Sequence, residues 1–182
     1  MSDQTADLRF RILEAIIHDA PVPPGRTVIM KLSYFLQILF GIPLGYRFSL
    51  YTYGPYDQEV LNDLATIERR GMVRSRIEVY PNGSQGYLYS KSSKTSKSPK
   101  LGIYNQVVGR VLAEFGDRSA VDLEMASTIV FVDRSNHARA TTAKIQDISR
   151  KVHEIKPHLG IDRIQMEAKD LLKKGHLLAT LA

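Results

Sequence analysis

Apolar residues recur at helical spacing near the start of the chain and predict three helices. Over residues 5–19 they form one stripe, which is typical of an amphipathic helix. Residues 27–40 are apolar almost all round, which predicts an enclosed helix that begins on a Thr27 cap. A third helix is predicted from an Asp57 cap to Arg70, and Gly71 can supply the left-handed exit from it.

Alternating and turn-forming residues predict the strands. Residues 46–53 are rich in aromatic side chains and predict a strand, which a Gly54-Pro55 turn would end. Residues 72–80 and 85–89 are also strand-like, and a Pro-Asn-Gly-Ser sequence joins them. Asn-Gly between two such runs favours a β-hairpin.

The remaining residues predict a basic loop followed by helices. Residues 90–100 contain lysine, serine, threonine and proline but no apolar side chain, so this segment can bury nothing. Four further helices are predicted, over residues 101–115, 119–132, 142–155 and 162–174.

These elements predict a mainly α protein with a small β element. The order helix, buried helix, strand, helix, hairpin is that of a winged-helix module, in which the third helix can enter a major groove and the hairpin can touch the backbone. We therefore predict a winged-helix-like N-terminal module with a hairpin wing over residues 1–90. A basic Ser/Lys loop over 91–100 and a C-terminal helical bundle over 101–182, packed on the same core, would follow.

Composition excludes several classes of chemistry. The chain has no cysteine, which excludes disulfides, thiolate catalysis and Cys-ligated zinc and fits a reducing compartment. The polar N-terminus lacks the pattern of a signal peptide, and polar residues and a proline interrupt the longest apolar run, at 28–44. We therefore expect a cytoplasmic protein that does not enter a membrane.

No sequence motif points to an enzyme. The five histidines lack metal-binding spacing, and Asp133 with His137, four positions apart, supplies too few ligands for a metal site. The phosphate-cradling, dinucleotide-binding and serine-nucleophile motifs are missing from the sequence. We expect no metal, no cofactor and no enzymatic activity.

Charge is concentrated in one segment. The formal net charge of the chain is +6, yet residues 69–100 alone hold eight cations against one acid, a net of +7. A local basic stripe is the electrostatic footprint of a polyanion-binding surface, so nucleic acid, with DNA favoured over RNA, is a candidate partner. The cations are Arg69, Arg70, Arg74, Arg76, Lys91, Lys94, Lys97 and Lys100.

Each of these features also has a simpler interpretation. The cations can be solvated surface charges on a helix end, an edge strand and a loop. Tyr51, Tyr53 and Tyr56 can stack on bases, but core and rim packing is the commoner use of such a cluster. Lys31, within the apolar helix, can be a buried functional amine, although an extension of its side chain to the surface is the commoner arrangement.

Residues 25–73 carry a family resemblance. Gly25-Arg26-Thr27, Met30-Lys31-Leu32 with Tyr34, and above all Tyr53-Gly54-Pro55-Tyr56 followed by Gly71-Met72-Val73, resemble the YwgA-like and Panacea (SocA-antitoxin-like) proteins. A weaker match begins at Lys156-Pro157, and residues 81–140 are not covered. The motif residues are Lys31, Tyr34, Tyr53, Gly54, Pro55, Tyr56 and Gly71.

The resemblance implies a mainly helical, winged-helix-like protein without known catalytic residues. Panacea-type proteins act as antitoxins that bind a toxin, and the SocA type couples its toxin to a protease. A partner protein encoded nearby is therefore the alternative to nucleic acid. The long basic Ser/Lys loop departs from the family pattern and keeps nucleic acid open as the partner. The oligomeric state is not indicated.

Overall fold

The computed structural model describes residues 3–80, 83–93, 97–139 and 143–181. Over this part the chain is mainly helical with a small antiparallel β element, which confirms the coarse prediction. The β element consists of two strand pairs: Ser49–Tyr51 (β1) with Gly54–Tyr56 (β2), and Val73–Val79 (β3) with Gln85–Lys91 (β4). The order is α1 Asp3–Asp19, α2 Arg26–Ile38, β1 Ser49–Tyr51, β2 Gly54–Tyr56, α3 Gln58–Arg69, β3 Val73–Val79, β4 Gln85–Lys91, a 3-10 turn Gly102–Tyr104, α4 Asn105–Phe115, α5 Ala120–Ala138, α6 Ile145–Ile155 and α7 Ile161–Lys173.

The chain divides into two compact units. The first comprises Met1–Ser49 and Tyr56–Ala120, and the second comprises Leu50–Pro55 and Val121–Ala182. This division differs from the predicted boundaries at residues 90 and 100, because α4 belongs to the first unit. The Phe115 ring at its end stacks on Phe35 of α2, with the ring centroids 4.4 Å apart. Helix α4 thus belongs with α2, although a polar segment precedes it in the sequence.

Helix α2 forms the centre of the first unit. Its residues Ile29–Leu36 are all buried, as the nearly all-apolar pattern predicted. The predicted Thr27 cap is wrong, since Gly25 occupies the N-cap position and no side chain caps the helix. The predicted surface extension of Lys31 is also wrong: this residue is only 2% exposed.

The predicted strand over residues 46–53 is mostly wrong. Only Ser49–Tyr51 is a strand, and its partner is Gly54–Tyr56, so Gly54-Pro55 is part of a strand instead of the turn. The turn lies two residues earlier than predicted, at Thr52 and Tyr53. Strand Gly54–Tyr56 starts with Gly54 at φ +84°, a conformation that glycine adopts without a steric cost.

The predicted third helix and hairpin are confirmed with small shifts. Asp57 caps α3 by accepting a hydrogen bond from the Glu59 amide, and Gly71 leaves the helix at φ +70°. Strands β3 and β4 pair antiparallel from Val73 opposite Lys91 to Val79 opposite Gln85. Ser90 and Lys91 therefore belong to β4 and not to the predicted loop.

In the second unit, a buried aspartate of α5 holds the C-terminal segment. Asp133 accepts hydrogen bonds from the backbone amides of Leu178, at 3.0 Å, and Ala179, at 3.0 Å. A parallel bridge between Lys144 and Thr180 adds a second attachment. Asp133 thus has a structural partner, while His137 is exposed. No helix in the described part of the chain is long and apolar enough to cross a membrane.

Candidate nucleic-acid interface

The outward face of α3 carries a row of polar side chains. Apolar Val60, Leu64 and Ile67 occupy the inner face, so the residues between them turn to the other side of the helix. We call this outer set the α3 row: Gln58, Asn62, Thr66 and Arg69.

Hydrogen bonds order the α3 row along the helix. The Gln58 side-chain amide donates to Asn62 Oδ1 at 3.3 Å, and the Thr66 hydroxyl donates to the Asn62 carbonyl at 2.9 Å. Arg69 donates from Nη2 to Thr66 Oγ1 at 3.1 Å. Tyr56, from the family motif, donates its hydroxyl to Gln58 Oε1. The row therefore presents amide, hydroxyl and guanidinium groups in a fixed order.

Two acidic side chains of α3 pair with Arg9 of α1. Asp63 lies 2.8 Å from Arg9 Nε in a buried ion pair, and Glu59 lies 3.2 Å from Arg9 Nη2. Tyr46 donates its hydroxyl to Asp63 Oδ2 at 2.9 Å. Burial, together with the Asp63 charge, raises the pKa of Tyr46, so this phenol keeps its proton and remains a donor.

The other two acids near α3 also have partners. Asp57 caps the helix and also accepts a hydrogen bond from the Arg47 amide. Glu68 accepts from both the amide and the hydroxyl of Ser75, at 3.0 Å and 2.6 Å. The negative charges around this helix are therefore engaged by other groups of the first unit.

The hairpin separates its predicted cations from Arg69. Ser75 meets Glu68 of α3, and Arg74 and Arg76 project to the opposite face of the strand because side chains alternate along it. On that face Arg74 Nε donates to Ser90 Oγ at 3.2 Å. Arg76 pairs with Glu78 at 3.3 Å but stays 68% exposed. Together with Pro23 and Leu88 the two arginines line a groove of about 450 Å³.

The other predicted cations occupy separate positions. Arg70 lies over the ring of Phe10 of α1, with Cζ 4.7 Å from the centroid. Lys91 ends β4 opposite Val73 and is exposed. Lys97 and Lys100 are exposed on the following loop, where Ser98 donates to Asp19 at 2.6 Å. Lys94 lies outside the described residues. Among the described cations, the structure thus brings Arg74 and Arg76 together and places Arg70, Lys91, Lys97 and Lys100 elsewhere.

The family-motif residues divide between buried and exposed positions. Tyr34 is buried and packs edge-on against Phe48, with the centroids 5.1 Å apart. Pro55 is also buried, and Tyr56 is half-buried. Tyr51 and Tyr53, however, are 65% and 64% exposed, so the core part of the core-and-rim packing interpretation is wrong for these two residues.

A buried lysine of the second unit holds the turn that presents those tyrosines. Lys156 lies 2.9 Å from Glu124 of α5, and both side chains are buried. Its ammonium also donates to the carbonyls of Tyr51, at 3.3 Å, and Thr52. A Cβ on Gly54 would come within 3.0 Å of Thr128 Oγ1. The turn therefore packs closely against α5, and Lys156 fixes it through the carbonyls of Tyr51 and Thr52.

Sequence reasoning missed the α3 row and the Lys156–Glu124 pair. Spacing by four and three positions opposite the apolar stripe would have revealed the row. Nothing in the local sequence connects Lys156 with Thr52, which lies 104 residues earlier. In the described part of the chain, no group of three or more histidine, aspartate or glutamate side chains is placed to hold a metal ion.

Comparison of the chain with models of known protein families gives no match, and comparison with curated proteins gives none either. The function is therefore inferred from the geometry of the α3 row, the hairpin and the turn.

Proposed function

We propose that the chain is a non-enzymatic regulatory or defence-associated protein that binds duplex nucleic acid through a winged-helix-like module. In this module α3 is the reading helix, and the β3–β4 hairpin is the wing. One observation carries the proposal: Asp57, Asp63 and Glu68 turn to backbone amides, Arg9 and Ser75, and Glu59 is shared between Arg9 and Asn62, while the exposed face of α3 presents the α3 row.

The chemistry of the α3 row suits base edges in a major groove. Glutamine and asparagine amides pair with adenine, and arginine pairs with guanine. Twelve helical residues span about 18 Å, and a major groove about 12 Å wide admits a helix of ordinary diameter. Glu59 accepts a hydrogen bond from Asn62 but also pairs with Arg9, which partly neutralises the negative charge that opposes the approach of phosphates.

The hairpin supplies the sequence-independent part of the affinity. Arg74 and Arg76 lie on one face of the strand, and Arg76 is largely exposed. Guanidinium groups bind phosphate well, and each neutralised phosphate adds to the salt dependence of binding. A wing that touches the backbone beside a reading helix is the usual division of roles in this type of module.

The test is duplex binding measured over a range of salt concentrations. We expect the R74Q/R76Q variant to lose affinity for every sequence and its log–log salt slope to flatten by about 2. We expect Q58A and N62A to reduce discrimination between preferred and other sequences by about 1–3 kcal/mol each. R150Q, which removes an exposed arginine of α6, is the matched control and should leave binding unchanged. Absence of binding by the wild type to any duplex at low salt would refute the proposal.

A second candidate function is binding of a partner protein in the manner of an antitoxin or adaptor. The supporting observation is the pair of exposed tyrosines, Tyr51 and Tyr53, on a turn that Lys156 fixes. Rigid exposed aromatic residues are typical anchors of protein interfaces. The Panacea-like motif includes Tyr53 and also favours this function.

The two functions are separated by co-expression with the product of the neighbouring gene, with and without nuclease. Protein binding predicts capture that survives nuclease, is lost in Y51S/Y53S and persists in R74Q/R76Q. Capture that nuclease abolishes would instead support nucleic acid as the bridge between the two proteins.

A further inference from the structure

A second groove, of about 740 Å³, lies between the start of α2, the hairpin and the segment that precedes α5. Its lining residues all belong to the first unit, and they are distinct from Arg74, Arg76 and the α3 row. The volume falls in the usual range for small-molecule sites.

Two exposed tyrosines form part of the groove wall. Tyr80, 42% exposed, lies across Gly86 so closely that a Cβ on that glycine would come within 2.8 Å of the Tyr80 hydroxyl oxygen. Tyr87 is 37% exposed. Gly86 thus allows the Tyr80 ring to rest on the strand backbone.

Arginine accompanies the aromatic rings. The Arg26 guanidinium lies over the Tyr87 ring, with Cζ 3.7 Å from the centroid, and its Nε donates to the Tyr89 hydroxyl at 3.4 Å. Arg118 also lines the groove, beside the start of α5. Guanidinium and aromatic planes together favour a flat ligand, since both stack on nucleobases.

Charge and polarity further limit the ligand. Among the fifteen described residues that line the groove, two are arginines and one, Asp117, is acidic. Thr27, Gln85 and Ser119 add groups that can hydrogen-bond to a sugar or a base. The groove therefore combines stacking faces, a net positive charge and neutral polar groups.

We propose that this groove binds a nucleoside 5′-phosphate unit, with the base against the Tyr87 ring and the phosphate toward Arg26 and Arg118. The unit can come from a free nucleotide or from a single-stranded nucleic acid. The site does not depend on duplex binding by the α3 row and the hairpin.

Calorimetric titration of the full chain at low salt tests the proposal. The probes are AMP, GMP, CMP and UMP, a hexathymidylate strand, adenosine and inorganic phosphate. We expect at least one monophosphate or the hexathymidylate to bind, with adenosine and phosphate each about tenfold weaker because each lacks half of the recognised unit. Binding by monophosphates identifies a free nucleotide as the source, and binding by the hexathymidylate alone identifies a single strand.

Variants locate the site. Y87S should weaken binding by about fivefold or more, the usual loss for one base–aromatic stack. R26K should bind more weakly than the wild type, because lysine keeps the positive charge but lacks the planar guanidinium group. R76Q is the matched control: it should leave nucleotide binding unchanged while it weakens duplex binding. Circular dichroism establishes that each variant is folded.

The proposal is overturned if neither the monophosphates nor the hexathymidylate bind at millimolar concentration. It is also overturned if these probes bind to folded Y87S and folded R26K as tightly as they bind to the wild type. Loss of duplex binding in R76Q with retained nucleotide binding supports both proposals. Nucleotide binding by a wild type that binds no duplex supports this site and refutes the proposed function.

Discussion

Glu68 of α3 accepts two hydrogen bonds from Ser75 of β3, one from the amide at 3.0 Å and one from the hydroxyl at 2.6 Å. This double contact spans the short connection through Gly71 and ties the end of the helix to the start of the hairpin. The Glu68 carboxylate therefore helps to set the position of the proposed wing relative to the proposed reading helix, together with backbone hydrogen bonds from Gly71 and Met72 to the end of α3.

Removal of that carboxylate should destabilise the first unit. We expect E68A to lower the free energy of unfolding by about 1–3 kcal/mol, because a partly buried amide and hydroxyl lose their acceptor. E68Q retains a carbonyl acceptor and should lose less than half as much. E78A, which removes only an exposed ion pair with Arg76, should stay within about 0.5 kcal/mol of the wild type. Urea unfolding measures all three, and equal losses for E68A and E78A would contradict the prediction.

Removal of one partner of the buried Lys156–Glu124 pair should cost more stability than removal of both. K156M leaves the Glu124 carboxylate buried opposite an apolar side chain, so we expect a loss of about 3–5 kcal/mol. The double variant K156M/E124L removes both charges and should recover a large part of that loss. A complete double-mutant cycle by urea unfolding gives the coupling free energy. Additive effects of the two substitutions would show that the pair does not interact.

Gly54, the first residue of β2, should tolerate replacement by alanine less well than Gly41, for two separable reasons. An alanine there would adopt φ +84°, and its Cβ would lie 3.0 Å from Thr128 Oγ1. Gly41 is a matched control, because it has φ +67° and no atom lies within 4 Å of the position that an alanine methyl group would take. We expect G41A to cost about 1–2 kcal/mol, from the backbone alone, and G54A to cost more. Thermal unfolding of G41A and G54A measures both losses. Equal decreases in Tm would show that Thr128 moves away from the new methyl group at no cost in stability, which would contradict the prediction.

Glu14 should make stability fall as pH rises through the acidic range. Burial raises its pKa above the ordinary glutamate value, and His18 and Arg11 only partly offset this. Above about pH 4.3 the unfolded chain has lost this proton while the folded chain still holds it, so each further rise in pH favours unfolding until the folded group ionises. The E14Q variant has no titratable group at this position and therefore lacks this pH-dependent contribution to stability.

The measurement is the difference in unfolding free energy between the wild type and E14Q, followed from about pH 4 to pH 7. We expect the wild type to lose stability relative to E14Q across that window. E154Q is the control of opposite sign, because a hydrogen bond from Lys151 lowers the pKa of Glu154. A wild type that gains stability relative to E14Q as pH rises would contradict the assignment.

Features set by neighbouring residues could be predicted from the sequence. The apolar run of α2, the Asp57 cap and the Gly71 exit of α3, and the hairpin around an Asn-Gly pair each depend on residues within a few positions. The basic segment was also visible in the sequence, but the separation of its cations was not. Strand alternation and the Glu68–Ser75 contact place Arg74 and Arg76 on the face of the hairpin that is turned away from Arg69.

Features set by distant residues could not be predicted. Lys31 is buried because its helix is enclosed on all sides, and this outweighs the tendency of a lone lysine to reach solvent. The aromatic run at 46–53 forms only a three-residue strand, because the Gln37 side chain bonds the amide and carbonyl of Tyr46 and the Asp57 carboxylate accepts from the Arg47 amide. Helix α4 joins the first unit through a ring stack between Phe35 and Phe115, which the local pattern of neither helix indicates.

The six residues Leu50–Pro55 belong to the second unit but lie within the sequence of the first. During synthesis this segment leaves the ribosome long before Glu124 and Lys156, so the first unit must begin to fold around a turn whose partners do not yet exist. No single cut of the chain can separate the two units intact. A fragment that ends at Ala120 would carry the aromatic turn without the lysine that fixes it, so limited proteolysis within that turn should report whether the second unit has formed.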